Sequence, residues 1–148
     1  MLFAKYNRNN KEGLKNTYIN VMRYSGAVFI AAEAYSRTEG KEEAARSRIN
    51  TYLQACGAGT LAASLKGASL TQAILKEKYK EFLGEGSNYF DLKRTRTVPL
   101  ERKDVWGTQS VAAIAADDYR WTFPIPRSEY RYNEQVTQNE GWPRSVTN

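Results

Sequence analysis

From Ile19 to about Thr38, apolar residues recur at Ile19, Met22, Phe29, Ile30 and Ala34, close to the spacing of one face of a helix, and Gly40 is placed to stop it. Directly after Gly40, a second stripe at Ala45, Ile49, Tyr52 and Leu53 predicts a helix from Lys41 or Glu42 to Gln54. So short a turn makes the two helices antiparallel neighbours. The expected fold class is therefore mainly α: a helix pair plus further helices, with long loops and short extended segments near the C-terminus. At 148 residues and 41% hydrophobic, the chain has the size and composition to bury a core without disulfide or metal staples. We take 1–148 as a single domain or domain fragment.

The pair has the look of a repeat. Ala32-x-x-Tyr35, then Gly40, then Ala45-x-x-x-Ile49 resembles a tetratricopeptide unit, although the turn is one residue longer. One such pair cannot bury both its faces, so neighbouring repeats are expected in a longer chain or an assembly; no second copy occurs within this sequence.

Further along, the small-residue run from Gly57 to Gly67 reads as a loop. Ser69-x-x-Gln72 has the form of a capping box and predicts the start of a third helix, with a stripe at Ile74, Leu75, Tyr79, Phe82 and Leu83 and a stop at Gly84 and Gly86. Residues 97–118 read as a variable loop, in which the run Val111 to Ala116 fits either helix or strand. Tyr119 to Phe123 alternates as a short strand does, and Pro124-Ile125-Pro126 forces an extended path. Residues 119–148 are expected as an extended, surface-wrapping tail.

Several chemistries are excluded or disfavoured. The chain has no histidine, which removes Ser-His-Asp, Cys-His and His-zinc arrangements. Its one cysteine, Cys56, cannot form an internal disulfide and reads as a small core or near-surface residue. Glu77 and Glu81 share a helix face, but a glycosidase needs two acids opposed across a sugar ring. We expect no enzyme, no catalytic residue, no metal and no cofactor. The net charge of +6 raises an anionic partner, yet bases and acids interleave as in Lys76-Glu77-Lys78, and no nucleic-acid motif accompanies them. No apolar stretch approaches the ~20 residues that span a bilayer, and no secretion signal opens the chain.

Three segments, in order, resemble the C-terminal region of the SusD/RagB family of outer-membrane nutrient-binding lipoproteins. The first is Arg23-Tyr24-Ser25 through Phe29-Ile-Ala-Ala-Glu33-Ala-Tyr35, with Ser25-Gly26 where the family has an acidic residue. The second is Glu77-Lys78-x-x-Glu81-Phe82, Glu85-Gly86, and Tyr89-Phe-Asp91-Leu-Lys-Arg94, with Lys78 in place of the commoner arginine. The third is Phe123-Pro124-Ile-Pro126, Glu129, Asn133 and Gln138-Asn139-x-Gly-Trp142. The resemblance implies a helical, tetratricopeptide-like fold and a non-catalytic protein that binds an oligosaccharide or a peptide. It further implies a surface-exposed place on the cell outer membrane beside a TonB-dependent, SusC-like transporter. The lipid anchor and signal peptide are then expected outside this chain, which would be the C-terminal scaffold portion. The alternatives are a tetratricopeptide-like adaptor for protein partners and a charge-driven nucleic-acid module.

The motif residues Arg23, Tyr24, Glu33, Glu77, Glu81, Asp91, Arg94, Pro124, Pro126 and Asn139 are expected to be structural, with Glu33 and Glu77 paired to arginines such as Arg23 and Arg94. Tyr35, Tyr52, Tyr79, Phe82 and Trp121 fall on inner stripes and are expected to pack. Trp106, in the variable loop, is the candidate ligand contact; Arg94, Arg96, Arg102 and Lys103 are a candidate basic rim.

Overall fold

The computed structural model describes residues 22–96, 100–104, 107–133 and 135–144. The N-terminal loop, Ile19, Pro99 and Trp106 lie outside them. The chain forms two compact units, residues 1–81 and 82–148.

In the first unit, α1 (Tyr24–Ser36), α2 (Glu42–Ala55) and α3 (Gly67–Glu81) pack with α1 in contact with both others. The predicted helix pair is present, but α1 turns a different face inward. Val28, Phe29 and Ala32 are buried, whereas Ile30 is 65% exposed. Phe29 and Ile30 are adjacent, about 100° apart around the axis, so one face takes only one of them. Because α1 is apolar nearly all round, its own sequence sets no direction; packing against α2 and α3 decides. On α2 the buried residues are Ala45, Ile49 and Leu53, as the pattern predicts, and the Tyr52 ring meets Phe29 edge-on at 5.6 Å.

α2 ends in a Schellman motif. Gly57 has φ of 70°, Ala58 N–H donates to Leu53 C=O at 2.8 Å, and Gly57 N–H donates to Gln54 C=O at 2.9 Å. The small-residue loop that follows is held by α2 itself: Asn50 Oδ1 accepts from Leu61 N–H at 2.8 Å, and Arg46 Nη1 donates to Leu65 C=O at 2.6 Å. α3 then begins at Gly67, two residues before the predicted capping serine. Ser69 is already inside the first turn, and its hydroxyl donates back to Lys66 C=O at 2.8 Å, so the capping box is not used. Leu70, Thr71 and Ile74 carry the buried side of α3, in its N-terminal half; Tyr79, placed on the inner stripe by periodicity, is 45% exposed.

The second unit holds α4 (Ser87–Thr95), a helix that the sequence reading left as a motif without assigned structure. Gly86, at φ of 79°, makes the break that restarts the chain as a helix. The stretch read as a variable loop contains an antiparallel hairpin of β1 (Leu100–Lys103) and β2 (Ser110–Ile114), with Leu100 opposite Ile114. Asp104 closes it, accepting from the N–H and hydroxyl of Thr108 at 2.8 and 2.7 Å. The predicted strand at Tyr119 to Phe123 is instead a 3-10 turn over Tyr119–Trp121. Its cause is local: Asp118 accepts from the Arg120 N–H at 2.8 Å, and this side-chain cap competes with extended backbone. The mainly helical fold with short extended segments is thus the observed one.

Ile49 is fully buried at the α1–α2 contact. Truncation to alanine is expected to lower the stability of the first unit by about 2–5 kcal/mol, read from chemical denaturation followed by far-UV circular dichroism.

Candidate functional site

An open groove of about 560 Å³ runs along the seam of α1 and α2. Its lining includes Tyr24, Val28 and Tyr35 from α1, and Ser47, Arg48 and Tyr52 from α2. Among the described residues no carboxylate lines it, and the Arg48 guanidinium and the hydroxyls of Tyr24 and Tyr35 have no hydrogen-bond or charge partner. Tyr24 is 77% exposed. An apolar floor with a few uncommitted polar groups is the usual make-up of a small-ligand site.

Within the same unit, motif residues tie α1 to α3. Arg23, which precedes α1, donates from Nη1 to Glu81 Oε1 at 2.7 Å and from Nη2 to the Glu81 carbonyl at 3.3 Å. One guanidinium thereby pairs a carboxylate and satisfies a carbonyl at the end of α3. Glu33 is buried, and Arg37 one turn on donates to it from Nε and Nη2 at 3.0 and 2.9 Å, which offsets the cost of withdrawing that charge from water. The buried hydroxyls of Ser36 and Thr71 lie 2.8 Å apart and join α1 to α3. Burial pushes the Tyr52 phenol up from its usual 10.0, and the adjacent Cys56 thiol and Glu81 carboxylate push the same way. Cys56 itself is exposed.

In the second unit the motif residues make a clasp that reads backbone. Gln138 holds Ile125 from both sides, accepting from its N–H at 2.8 Å and donating to its C=O at 3.1 Å. Asn139 Nδ2 donates to Phe123 C=O at 2.7 Å, and Trp142 Nε1 donates to Thr122 C=O at 2.7 Å. Pro124 and Pro126 hold that target strand straight and remove two amides that would need partners. Gly141, at φ of 82°, lets the chain pass over Tyr119: a Cβ there would stand 2.8 Å or less from three Tyr119 atoms. Beneath the clasp, Tyr89 of α4 donates to Trp121 C=O at 2.6 Å and stacks on Phe123 at 5.3 Å. Trp121 is buried and donates to Ala115 C=O at 2.7 Å.

The motif residues therefore divide between two tasks. Arg23 and Glu81 fasten α1 to α3, Glu33 is held by Arg37 one turn on, and Pro124, Pro126 and Asn139 belong to the clasp. Glu77 pairs with Lys80 on its own helix, not with an arginine, and Asp91 pairs with Arg94 at 2.6 Å, also within one helix. Tyr24 lies on the groove instead of in the core. Of the basic rim, Arg94 is engaged with Asp91 while Arg96 and Lys103 are exposed. Sequence reasoning missed Arg48, Gln138 and Tyr89 as individual actors. The Gln138 signal was present in the Gln-Asn-x-Gly-Trp spacing, whereas nothing in the linear pattern marks Arg48. Asp118 is held at about 2, first by the Arg120 side chain and then by its backbone N–H.

These features define a class: a tetratricopeptide-like helical scaffold joined to an irregular unit that is locked by side chains bonding to main chain. The chain belongs to the SusD family, whose model matches residues 2–142. A SusD superfamily protein from Bacteroides vulgatus ATCC 8482, known from a crystal structure, shares the fold with a TM-score of 0.66 at 24% identity. The match covers 89% of this chain and 30% of that one, so this chain spans less than a third of that protein's length. Among curated proteins, none matches. No helix among the described residues is long and apolar enough to cross a membrane, and no group of three or more His, Cys, Asp or Glu among them could hold a metal ion.

Two outcomes are expected. Gly141→Ala combines a strained φ with a collision against Tyr119 and lowers stability by about 2 kcal/mol or more, measured by thermal unfolding with near-UV circular dichroism. The Tyr52 pKa is higher folded than unfolded, so its contribution to stability is complete below pH about 10 and is lost as pH rises beyond that. Denaturant midpoints at pH 8 and 11 should therefore fall less in Tyr52→Phe than in the parent protein.

Proposed function

We propose that this chain is the C-terminal scaffold portion of a non-catalytic nutrient-binding lipoprotein on the outer-membrane surface. In this reading the longer polypeptide captures an oligosaccharide, with a peptide as the second ligand class, and hands it to a SusC-like, TonB-dependent transporter. The observation that carries the proposal is membership of the SusD family over residues 2–142. The α1–α2 groove supports a binding role: among the described residues it presents aromatic surfaces and the guanidinium of Arg48. Capture and handover follow from different affinities of open and closed states for the ligand, the protein acting as a lid on the transporter. Residues 1–148 would act here as one structural portion, and residues 119–148 as its closing strap.

A glycan array probed with the longer polypeptide, with purified transporter added in a parallel pull-down, tests the proposal. Binding of one oligosaccharide class without its hydrolysis, together with recovery of the transporter, is the expected result. Hydrolysis of the bound sugar, or selective capture of peptide C-termini with no transporter recovered, would instead favour an enzyme or a tetratricopeptide-like adaptor.

A further inference from the structure

We infer that the α1–α2 groove is a subsite for acidic sugars, taking a uronic-acid residue of an oligosaccharide with its carboxylate on Arg48 and its ring against Tyr24. The inference rests on the nutrient-binding reading above and names a substrate class for it.

Elsewhere in the first unit the arginines bonded to acids or carbonyls are accounted for: Arg23 by Glu81, Arg37 by Glu33, and Arg46 by Glu43 and the Leu65 carbonyl. Arg48 stands on the same helix as Arg46, one residue past Ser47, and has no partner among the described residues. It faces a groove with no acid in its lining, so the groove is complementary to an anion. A guanidinium offers two parallel N–H donors that match a carboxylate.

The remaining lining restricts the kind of anion. Tyr24 is exposed, and Tyr35 and Tyr52 are half-buried, so the groove has aromatic surface beside the cation. A pyranose ring has an apolar face of C–H groups for such a surface and a rim of hydroxyls. The free hydroxyls of Tyr24, Tyr35 and Ser47 can each donate and accept, which suits sugar hydroxyls better than it suits an inorganic anion. The Tyr52 hydroxyl is turned to other work, beside Glu81 and Cys56, so its ring serves as wall and not as donor. A groove of about 560 Å³ open to solvent suits a few sugar residues of a longer polymer lying across it.

Calorimetric titration of this chain with tetragalacturonate, and separately with neutral cellotetraose, tests the inference. Tetragalacturonate is expected to bind and cellotetraose to bind about tenfold more weakly, matching the loss of one charge-assisted contact. Arg48→Gln should weaken tetragalacturonate by about tenfold and cellotetraose by much less, with Arg48→Lys recovering part of the loss. Tyr24→Ala should weaken both sugars by about fivefold. Both positions are exposed at the groove, and circular dichroism checks that the variants remain folded.

Equal affinity for the two sugars, or tetragalacturonate binding that ignores Arg48, overturns the acidic-sugar assignment while leaving the nutrient-binding reading in place. Absence of binding by this chain, when the longer polypeptide still scores on the glycan array, does the same. Footprinting offers a further check: if Tyr24 in the longer polypeptide is protected from hydroxyl radicals without sugar, the groove seats another helix and the inference falls.

Discussion

Helix α1 is the element on which the first unit depends. Its segment from Ala27 to Ala32 carries no polar side chain, and its one charge, Glu33, is buried and held by Arg37. Such a helix gains little from one-sided packing, because it has no polar face to give to water. It therefore draws α2 and α3 onto itself, with Phe29 and Val28 buried between them, and the polar links at its ends set the register. Arg23 fixes its start to the end of α3, and Ser36 fixes its end to Thr71. The groove beside Tyr24 and Tyr35 is part of α1's apolar surface that those two neighbours leave uncovered, Ile30 being another.

The second unit is organised on another principle. Among its described residues Trp121 is the buried large side chain and regular elements are short, so backbone amides and carbonyls there are not all satisfied by helix or sheet. Side chains take that role. Gln138, Asn139, Trp142, Tyr89 and Asp118 each bond to main chain, and several use both a ring or amide plane for packing and a polar tip for the bond. This accounts for the residue types in the tail motif: amides where both donor and acceptor are needed, indole where packing and one donor are needed, and glycine where the chain crosses a ring.

The two halves thus present family sequence features with different physical meanings. Along α1 and α3 they are charges that cap and pair; along the tail they are amides and rings that read backbone. Of both sets only Tyr24 and Tyr35 line the groove, which explains why recognising the motifs names the family more readily than it names the ligand. The groove is made of residues such as Arg48 and Ser47 that carry no motif and acquire their meaning only from what surrounds them.

The boundary between sequence and tertiary structure can be drawn at particular residues. The sequence alone determined the helix pair, the buried stripe of Ala45, Ile49 and Leu53, the turn at Gly40 and the Pro-Ile-Pro path, because each follows from local periodicity or a fixed backbone preference. It also carried the spacing of the tail motif. Only the tertiary structure decided which face of α1 turns inward, since an evenly apolar helix has no directional pattern. It decided the start of α3, where the loop held by Asn50 and Arg46 delivers the chain two residues earlier than the capping box implies. It also turned Tyr119–Trp121 into a 3-10 turn, because one Asp118 side-chain bond outweighs a weak alternation. Above all it set Arg48, without a partner among the described residues, in a groove with three tyrosines, a juxtaposition of two helices that no linear spacing encodes.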